Sequence, residues 1–138
     1  MSVARLAPNY LVNDGTVPRD RLPDALATVA AIVRDFGFEH GNVFHAGDGN
    51  LHPLLMFDSR NEKELEQVHK AGWDIMEICA EFGGTISGEH GIGYVKKKYV
   101  PLELSAISLA IQKGIKQVLD PLNIMNPEKI FPDNPDDG

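Results

Sequence analysis

The sequence has very little cysteine and no long apolar run. Its single cysteine, Cys79, excludes an internal disulfide and indicates a reducing compartment. No stretch approaches the roughly 20 consecutive apolar residues that a membrane-spanning helix needs. The N-terminus also lacks the apolar segment of a secretory signal peptide. We therefore expect a cytoplasmic protein that is not transmembrane.

Positive charge is scarce as well. The chain carries 13 Lys and Arg against 20 Asp and Glu, a net charge of -7. The one dense basic run, Lys96 to Lys98, is expected to be a solvated patch; the alternative is that Lys96 or Arg19 attracts an acidic substrate. Because phosphate binding needs a positive face, we expect no nucleic-acid partner. A chain of 138 residues with 43% hydrophobic residues is sufficient for one core. We expect a single domain over 1–131, with an acidic tail over 132–138.

Apolar periodicity and turn residues predict three helices and one hairpin. The last helix is expected to turn one apolar stripe inward: Ile107, Ile111, Ile115 and Val118. The order of these elements predicts an α+β fold with helices packed on an antiparallel sheet. The predicted elements are an irregular or extended segment over 1–20, helices over 23–36, 61–82 and 105–119, strands over 42–46 and 51–57, and a glycine loop over 83–93.

The segment from His45 to His52 reads His-Ala-Gly-Asp-Gly-Asn-Leu-His. Asp48-Gly49 is a preferred pair for a two-residue type I′ turn, which would pair His45 directly with His52. Cross-strand partners have Cβ atoms about 4.5–5.5 Å apart, so both imidazoles could reach one metal ion. Pro53 cannot donate to a ladder, which predicts an edge strand or irregular pairing. The alternative is a glycine turn flanked by two partly exposed histidines.

A second glycine-rich segment places a carboxylate next to an imidazole, at Glu89-His90. It lacks the spacing of a dinucleotide-binding fingerprint and the Gly-Lys-Ser/Thr of a phosphate loop. Glu89 could complete a metal set of two histidines and one carboxylate. His90 could remain off the metal and serve as a base near neutral pH. The alternative is a glycine turn with a solvated Glu-His pair.

These two segments together resemble signature segments of the FAD-linked oxidase family. That family includes glycolate oxidase D subunits, D-lactate dehydrogenases and D-2-hydroxyglutarate dehydrogenases. The matching segments are His45–His52 and Ser87–Gly93. Asp14–Arg19 and Asn126–Phe131 follow the family's order, so that the resemblance extends over about 10–131.

The resemblance implies a fold and a set of partners. The expected fold is a ferredoxin-like α/β sandwich with a C-terminal helical segment, lying over a flavin. The family's FAD-binding domain is absent from these 138 residues. We therefore expect FAD to be held mainly by another domain or subunit, and the isolated chain to be inactive. Association with the membrane through partner subunits and homo-oligomerisation are further expectations.

The resemblance also implies roles for individual residues. His90 would take the proton from the substrate hydroxyl while hydride passes to FAD. Asn126 and Lys129 would lie near the flavin. The family usually has glycine where this chain has Glu128, which alters the local cofactor contact if that glycine permits positive φ. The residues implied to bind a divalent metal, zinc or manganese, are His45, His52 and Glu89.

Two functions follow from these observations. The first is the C-terminal part of a flavin-dependent oxidoreductase that oxidises a small D-2-hydroxy acid, such as glycolate or D-lactate, to the 2-oxo acid. The alternative is a non-catalytic metal-binding or oligomerisation module, or a truncated relic of such an enzyme. An isolated metal hydrolase is disfavoured because no hydrolytic motif is present.

Overall fold

The computed structural model describes residues 7–133. The chain divides into two compact units, 1–89 and 90–138. Most of the expected acidic tail lies outside the described residues. No helix within the described part is long and apolar enough to cross a membrane. The α-helices and strands are β1 (Asn9–Val12), β2 (Gly15–Thr16), α1 (Leu22–Asp35), β3 (Glu39–His45), β4 (Asn50–Phe57), α2 (Glu62–Glu81) and α3 (Ala106–Leu119).

The first unit contains an antiparallel sheet with β4 at its centre. β1 and β2 pair with one side of β4, and β3 pairs with the other. A further bridge joins Thr16 to Thr85, after α2. The resulting order, β-α-β-β-α followed by a bridging strand residue, is that of a ferredoxin-like unit. The predicted α+β fold is therefore confirmed, with β1 and β2 lying in the segment expected to be irregular or extended.

Local sequence explains both helices of the first unit. Pro23 lies in the first turn of α1, and Gly37 ends that helix with a φ of +76°. The Asn61 side chain accepts hydrogen bonds from two backbone amides at the start of α2. Both helices lie within one residue or two of the predicted bounds. Their buried faces meet a core that includes Val29, Val33, Leu51, Leu55, Val68, Ile75, Met76 and Cys79.

The two faces of the sheet have different surroundings. Gly15 pairs with Leu51, and a Cβ added to Gly15 would lie 2.6 Å from the Cys79 Sγ on α2. The Leu51 and Leu55 face of β4 therefore packs against the helices. Because successive residues of a strand alternate between faces, His52 lies on the face opposite the helices.

Of the two expectations for Pro53, an edge strand is wrong, since β4 is the central strand, whereas irregular pairing is observed on one side of β4. The Pro53 carbonyl accepts a hydrogen bond from the Asn13 amide at 3.2 Å. In a residue other than proline, the N–H at this position would point toward the same segment. That segment, at Asn13, is where the chain is interrupted between β1 and β2. A central strand accommodates proline here because the adjacent ladder is already broken.

The second unit contains α3, which begins after Ser105. The Ser105 side chain accepts a hydrogen bond from the Ser108 amide. The helix itself is confirmed, but the expectation that its apolar stripe faces inward is wrong. No residue of α3 is buried by the described part of the chain. The exposed fractions of the stripe are 74% for Ile107, 59% for Ile111, 57% for Ile115 and 81% for Val118.

The lysine run is not a simple solvated patch. Lys96 and Lys97 are both buried. The Lys97 Nζ lies 2.6 Å from the Asp133 carboxylate and 4.6 Å from the centre of the Tyr94 ring. The hydrogen bond to Asp133 raises the pKa of the Lys97 ammonium group. The sequence shows three consecutive lysines, but it does not show which contacts each of them makes in the folded chain.

Candidate metal and substrate site

The loop between β3 and β4 has four residues, 46–49, and not the two that were predicted. The Asp48 amide donates to the His45 carbonyl at 3.0 Å. Of the Asp48-Gly49 pair only Gly49 has positive φ, at +72°, so the type I′ turn is absent. Gly49 is also pressed against another segment, because a Cβ there would lie 2.0 Å from the Val17 carbonyl oxygen.

The longer loop shifts the strand register by two residues. His45 pairs with Asn50, and His52 pairs with Val43. The predicted direct pairing of His45 with His52 is therefore wrong. Side chains alternate with a period of two, so a shift of two keeps both histidines on one face. Their rings remain neighbours, with centroids 5.5 Å apart and planes nearly perpendicular.

Glu89 meets both histidines on this face. Its Oε1 lies 3.1 Å from the His45 Nε2 and 3.3 Å from the His52 Nε2. The three potential ligand atoms lie within 4.8 Å of one another. The His52 side chain is 9% exposed, whereas His45 and Glu89 are 54% and 50% exposed. The cluster therefore has one buried ligand and two that face solvent.

Asn50 is a member of the cluster that the sequence analysis missed. Its Nδ2 donates to Glu89 Oε1 at 2.8 Å and lies 3.3 Å from the His52 Nε2. Its Oδ1 is buried and has no hydrogen-bond partner among the described residues. A Cβ at Gly88 would lie 2.7 Å from the Asn50 side chain, so a larger residue there would displace that amide. The sequence did offer one indication of this role, because Asn50 lies between His45 and His52 in the same short segment.

The donor set fits a divalent metal. Two imidazole nitrogens and one carboxylate are the ligands of many catalytic zinc and non-haem iron sites. Ligands at about 2.0–2.1 Å from a tetrahedral ion are separated from one another by roughly 3.3 Å. The separations of 3.1 and 3.3 Å between Glu89 and the two histidines agree with that spacing.

Comparison with known proteins places these residues in a family. The sequence profile described as "FAD linked oxidases, C-terminal domain" matches residues 1–130. The chain belongs to this family. The resemblance carried by the two histidine-containing segments is thereby confirmed.

Individual relatives agree with this assignment. The FAD-linked oxidase domain is 39% identical over 131 residues to the glycolate oxidase subunit GlcD of Escherichia coli strain K12, covering 95% of this chain and 26% of the relative. It is 33% identical over 129 residues to the mitochondrial D-lactate dehydrogenase [cytochrome] of Arabidopsis thaliana, covering 92% and 23%. It is 37% identical over 137 residues to the D-2-hydroxyglutarate dehydrogenase of Xanthomonas citri, covering 94% and 28%. The chain thus spans about a quarter of the length of these relatives.

The other predicted site residues of this FAD-linked oxidase domain lie in the second unit. His90 directly follows Glu89 in the chain and is exposed. Asn126 and Lys129 line one cavity of about 230 Å³. The Lys129 Nζ lies 5.0 Å from the centre of the Tyr94 ring. The structure therefore groups Asn126 with Lys129 within the second unit, and His45, His52 and Glu89 within the first.

The departure at Glu128 coincides with an unusual backbone. Glu128 has a φ of +62°, the left-handed region that glycine adopts without steric cost. Asn126 and Ile130 on either side also have positive φ, at +48° and +73°. Left-handed φ costs a residue with a Cβ roughly 1–2 kcal/mol. The closing segment therefore keeps a conformation suited to glycine with glutamate in its place.

A cavity elsewhere in the first unit is not the candidate site. A cavity of about 460 Å³ lies between Phe36, Glu39 and Phe57, at the end of the sheet remote from His52. It contains none of the predicted site residues. The convergence of donor atoms, and not the volume, identifies the candidate site.

Proposed function

We propose that this chain is the C-terminal part of a flavin-dependent oxidoreductase that oxidises a small D-2-hydroxy acid to the 2-oxo acid. One observation carries the proposal: His45, His52 and Glu89 converge in a member of the FAD-linked oxidase family. The names of three relatives, which concern glycolate, D-lactate and D-2-hydroxyglutarate, support this substrate class.

In this proposal His45, His52 and Glu89 hold a divalent metal, zinc or manganese. When bound, the metal supplies Lewis-acid attraction for the carboxylate and hydroxyl oxygens of the substrate. His52 is buried and anchors the set, while the exposed sides of His45 and Glu89 leave room for a substrate. Asn50 holds the Glu89 carboxylate in place through its 2.8 Å hydrogen bond.

His90 is proposed as the base. FAD held by the rest of the protein would supply the hydride acceptor for C2 of the hydroxy acid. His90 takes the hydroxyl proton, so that the C2–H and O–H bonds are replaced by a C=O double bond. Asn126 and Lys129 are proposed to contact the flavin. The proposed partners are an FAD-binding domain or subunit and the hydroxy acid, in the cytoplasm.

Reconstitution tests this function. The chain is mixed with the FAD-binding part of a relative, such as the Escherichia coli glycolate oxidase subunit, under anaerobic conditions. We expect glycolate or D-lactate to bleach the flavin absorbance, and L-lactate to do so much less. His90→Ala is expected to slow bleaching by about 10²–10⁴-fold, the usual contribution of a general base. His69→Ala is the matched control, because His69 is exposed on α2.

Three results would contradict parts of the proposal. Equal rates for wild type and His90→Ala would exclude His90 as the base. Metal binding without flavin reduction in the reconstituted mixture would favour a non-catalytic metal-binding module. Metal content unchanged by His45→Ala would exclude the ligand assignment.

A further inference from the structure

The position of Glu89 needs an explanation beyond packing. Its side chain is half exposed, and it follows a loop that contains three glycines between 83 and 88. The bridge between Thr16 and Thr85 anchors only the beginning of this loop. Metal ligands must be held to within about 0.5 Å, usually by other groups that fix their orientation. A further contact must therefore hold the end of the loop.

Asp14 supplies that contact from beneath the loop. It is fully buried, with 0% of its surface exposed. Its Oδ1 accepts hydrogen bonds from the Gly88 amide at 3.2 Å and the Glu89 amide at 3.1 Å. Its Oδ2 accepts from the Ser87 hydroxyl at 3.1 Å. One carboxylate thus holds three consecutive residues of the loop that carries Glu89.

These contacts also account for the burial of a charged group. A carboxylate removed from water is costly unless it is hydrogen-bonded, and bonds to a charged acceptor are stronger than neutral ones. Thr16, two residues beyond Asp14, holds Thr85 through two backbone hydrogen bonds of 2.9 and 3.2 Å. The 14–16 segment therefore holds the loop at both ends. The Thr16 backbone holds Thr85, and the Asp14 side chain holds residues 87–89.

We propose that Asp14 is a positioning residue of the metal site and sets the orientation of Glu89 through the backbone of the loop. The inference rests on the proposed function, because it assumes that Glu89 is a ligand. From sequence, Asn13-Asp14-Gly15 signals only a turn, so nothing local points to this role.

The test uses the full chain with Asp14→Ala, Asp14→Leu and Asp14→Asn. Leucine keeps the volume without acceptors, and asparagine keeps one acceptor oxygen. The matched control is Asp120→Ala, because Asp120 is also a buried carboxylate that accepts from two backbone amides, at 3.0 and 2.9 Å. Calorimetry gives the affinity for Zn²⁺ and for Mn²⁺. Amide hydrogen exchange by NMR reports on Gly88 and Glu89 without any metal.

Alanine and leucine are expected to weaken metal binding by about 10- to 100-fold, the usual effect of losing a partner of a ligand. They are also expected to speed exchange at Gly88 and Glu89, with asparagine intermediate and Asp120→Ala at the wild-type affinity. Unchanged exchange at these two amides in the Asp14 variants would overturn the inference. Metal affinity within twofold of wild type in Asp14→Ala or Asp14→Leu would overturn it too. Wild-type protein that binds neither metal would refute the proposed function, and the exchange rates alone would then decide whether Asp14 holds the loop.

Discussion

Metal binding at the histidine cluster should raise the thermal stability of the chain by a calculable amount. A ligand that binds only the native state at 100 times its Kd stabilises that state by about 2.7 kcal/mol. The entropy of unfolding is about 2.1 cal/mol/K per residue. If the first unit, 1–89, melts by itself, the Tm should rise by about 14 °C. If all 138 residues melt together, the rise should be about 9 °C.

The decisive variant is Glu89→Gln, which keeps the shape of the side chain and removes its charge. The Glu89 Oε1 is the one oxygen that both histidines and the Asn50 amide approach. Losing the anionic ligand should reduce the rise in Tm by more than half at the same metal concentration. Differential scanning calorimetry with Zn²⁺ and with Mn²⁺ measures the effect. Glu66→Gln is the matched control, since Glu66 is exposed on α2.

Two outcomes would refute this reasoning. If Glu89→Gln retained the full rise, the metal would bind elsewhere, for instance at surface histidines. If wild-type Tm changed by less than about 3 °C at 100 times the calorimetric Kd, binding would not be coupled to folding of the native unit.

Three further predictions concern stability and the shape of the site. Leu55→Ala removes a fully buried side chain of the central strand and should cost about 2–5 kcal/mol in urea unfolding, whereas Ile111→Ala on the exposed stripe of α3 should change stability by no more than about 0.5 kcal/mol. Hydrogen bonds from a lysine and two backbone amides hold the pKa of the Asp120 carboxyl below its usual value. The wild-type advantage over Asp120→Asn should therefore persist near neutral pH and shrink as the pH falls below about 3.9, and a constant gap down to pH 2 would contradict this. Gly88→Ala should weaken Mn²⁺ binding in calorimetry, because the new Cβ would displace the Asn50 side-chain amide that is hydrogen-bonded to Glu89. Gly47→Ala should not weaken it, because a Cβ at Gly47 would meet open space.

Elements determined by residues close together in the sequence were predicted correctly, and those determined by contacts between distant segments were not. α1 and α2 were predicted nearly to the residue because their caps and apolar stripes lie within the helices themselves. The hairpin was located correctly, but its register was not, because Gly49 is held against Val17 by a contact between distant segments. The strands β1 and β2 form through pairing with β4, and β2 also bridges Thr85, so both depend on contacts distant in sequence.

The candidate site shows the same division. His45, His52 and Glu89 could be proposed from two short segments, and the period of two kept both histidines on one face when the register moved. Asp14 could not be assigned a role from sequence, because it acquires that role only when buried against residues far along the chain. Asn50 lies between the two histidines in sequence, but its contact with Glu89 forms only in the folded chain.

The sequence by itself determined the donor types, the helices and the family, since these depend on residue identity and short-range order. Only the tertiary structure decided that one carboxylate oxygen meets two histidines, that a buried aspartate holds the loop behind it, and that the stripe of α3 stays exposed. The physical reason is that an apolar or charged side chain shows what kind of partner it needs, whereas the partner itself is selected by backbone contacts between segments distant in sequence.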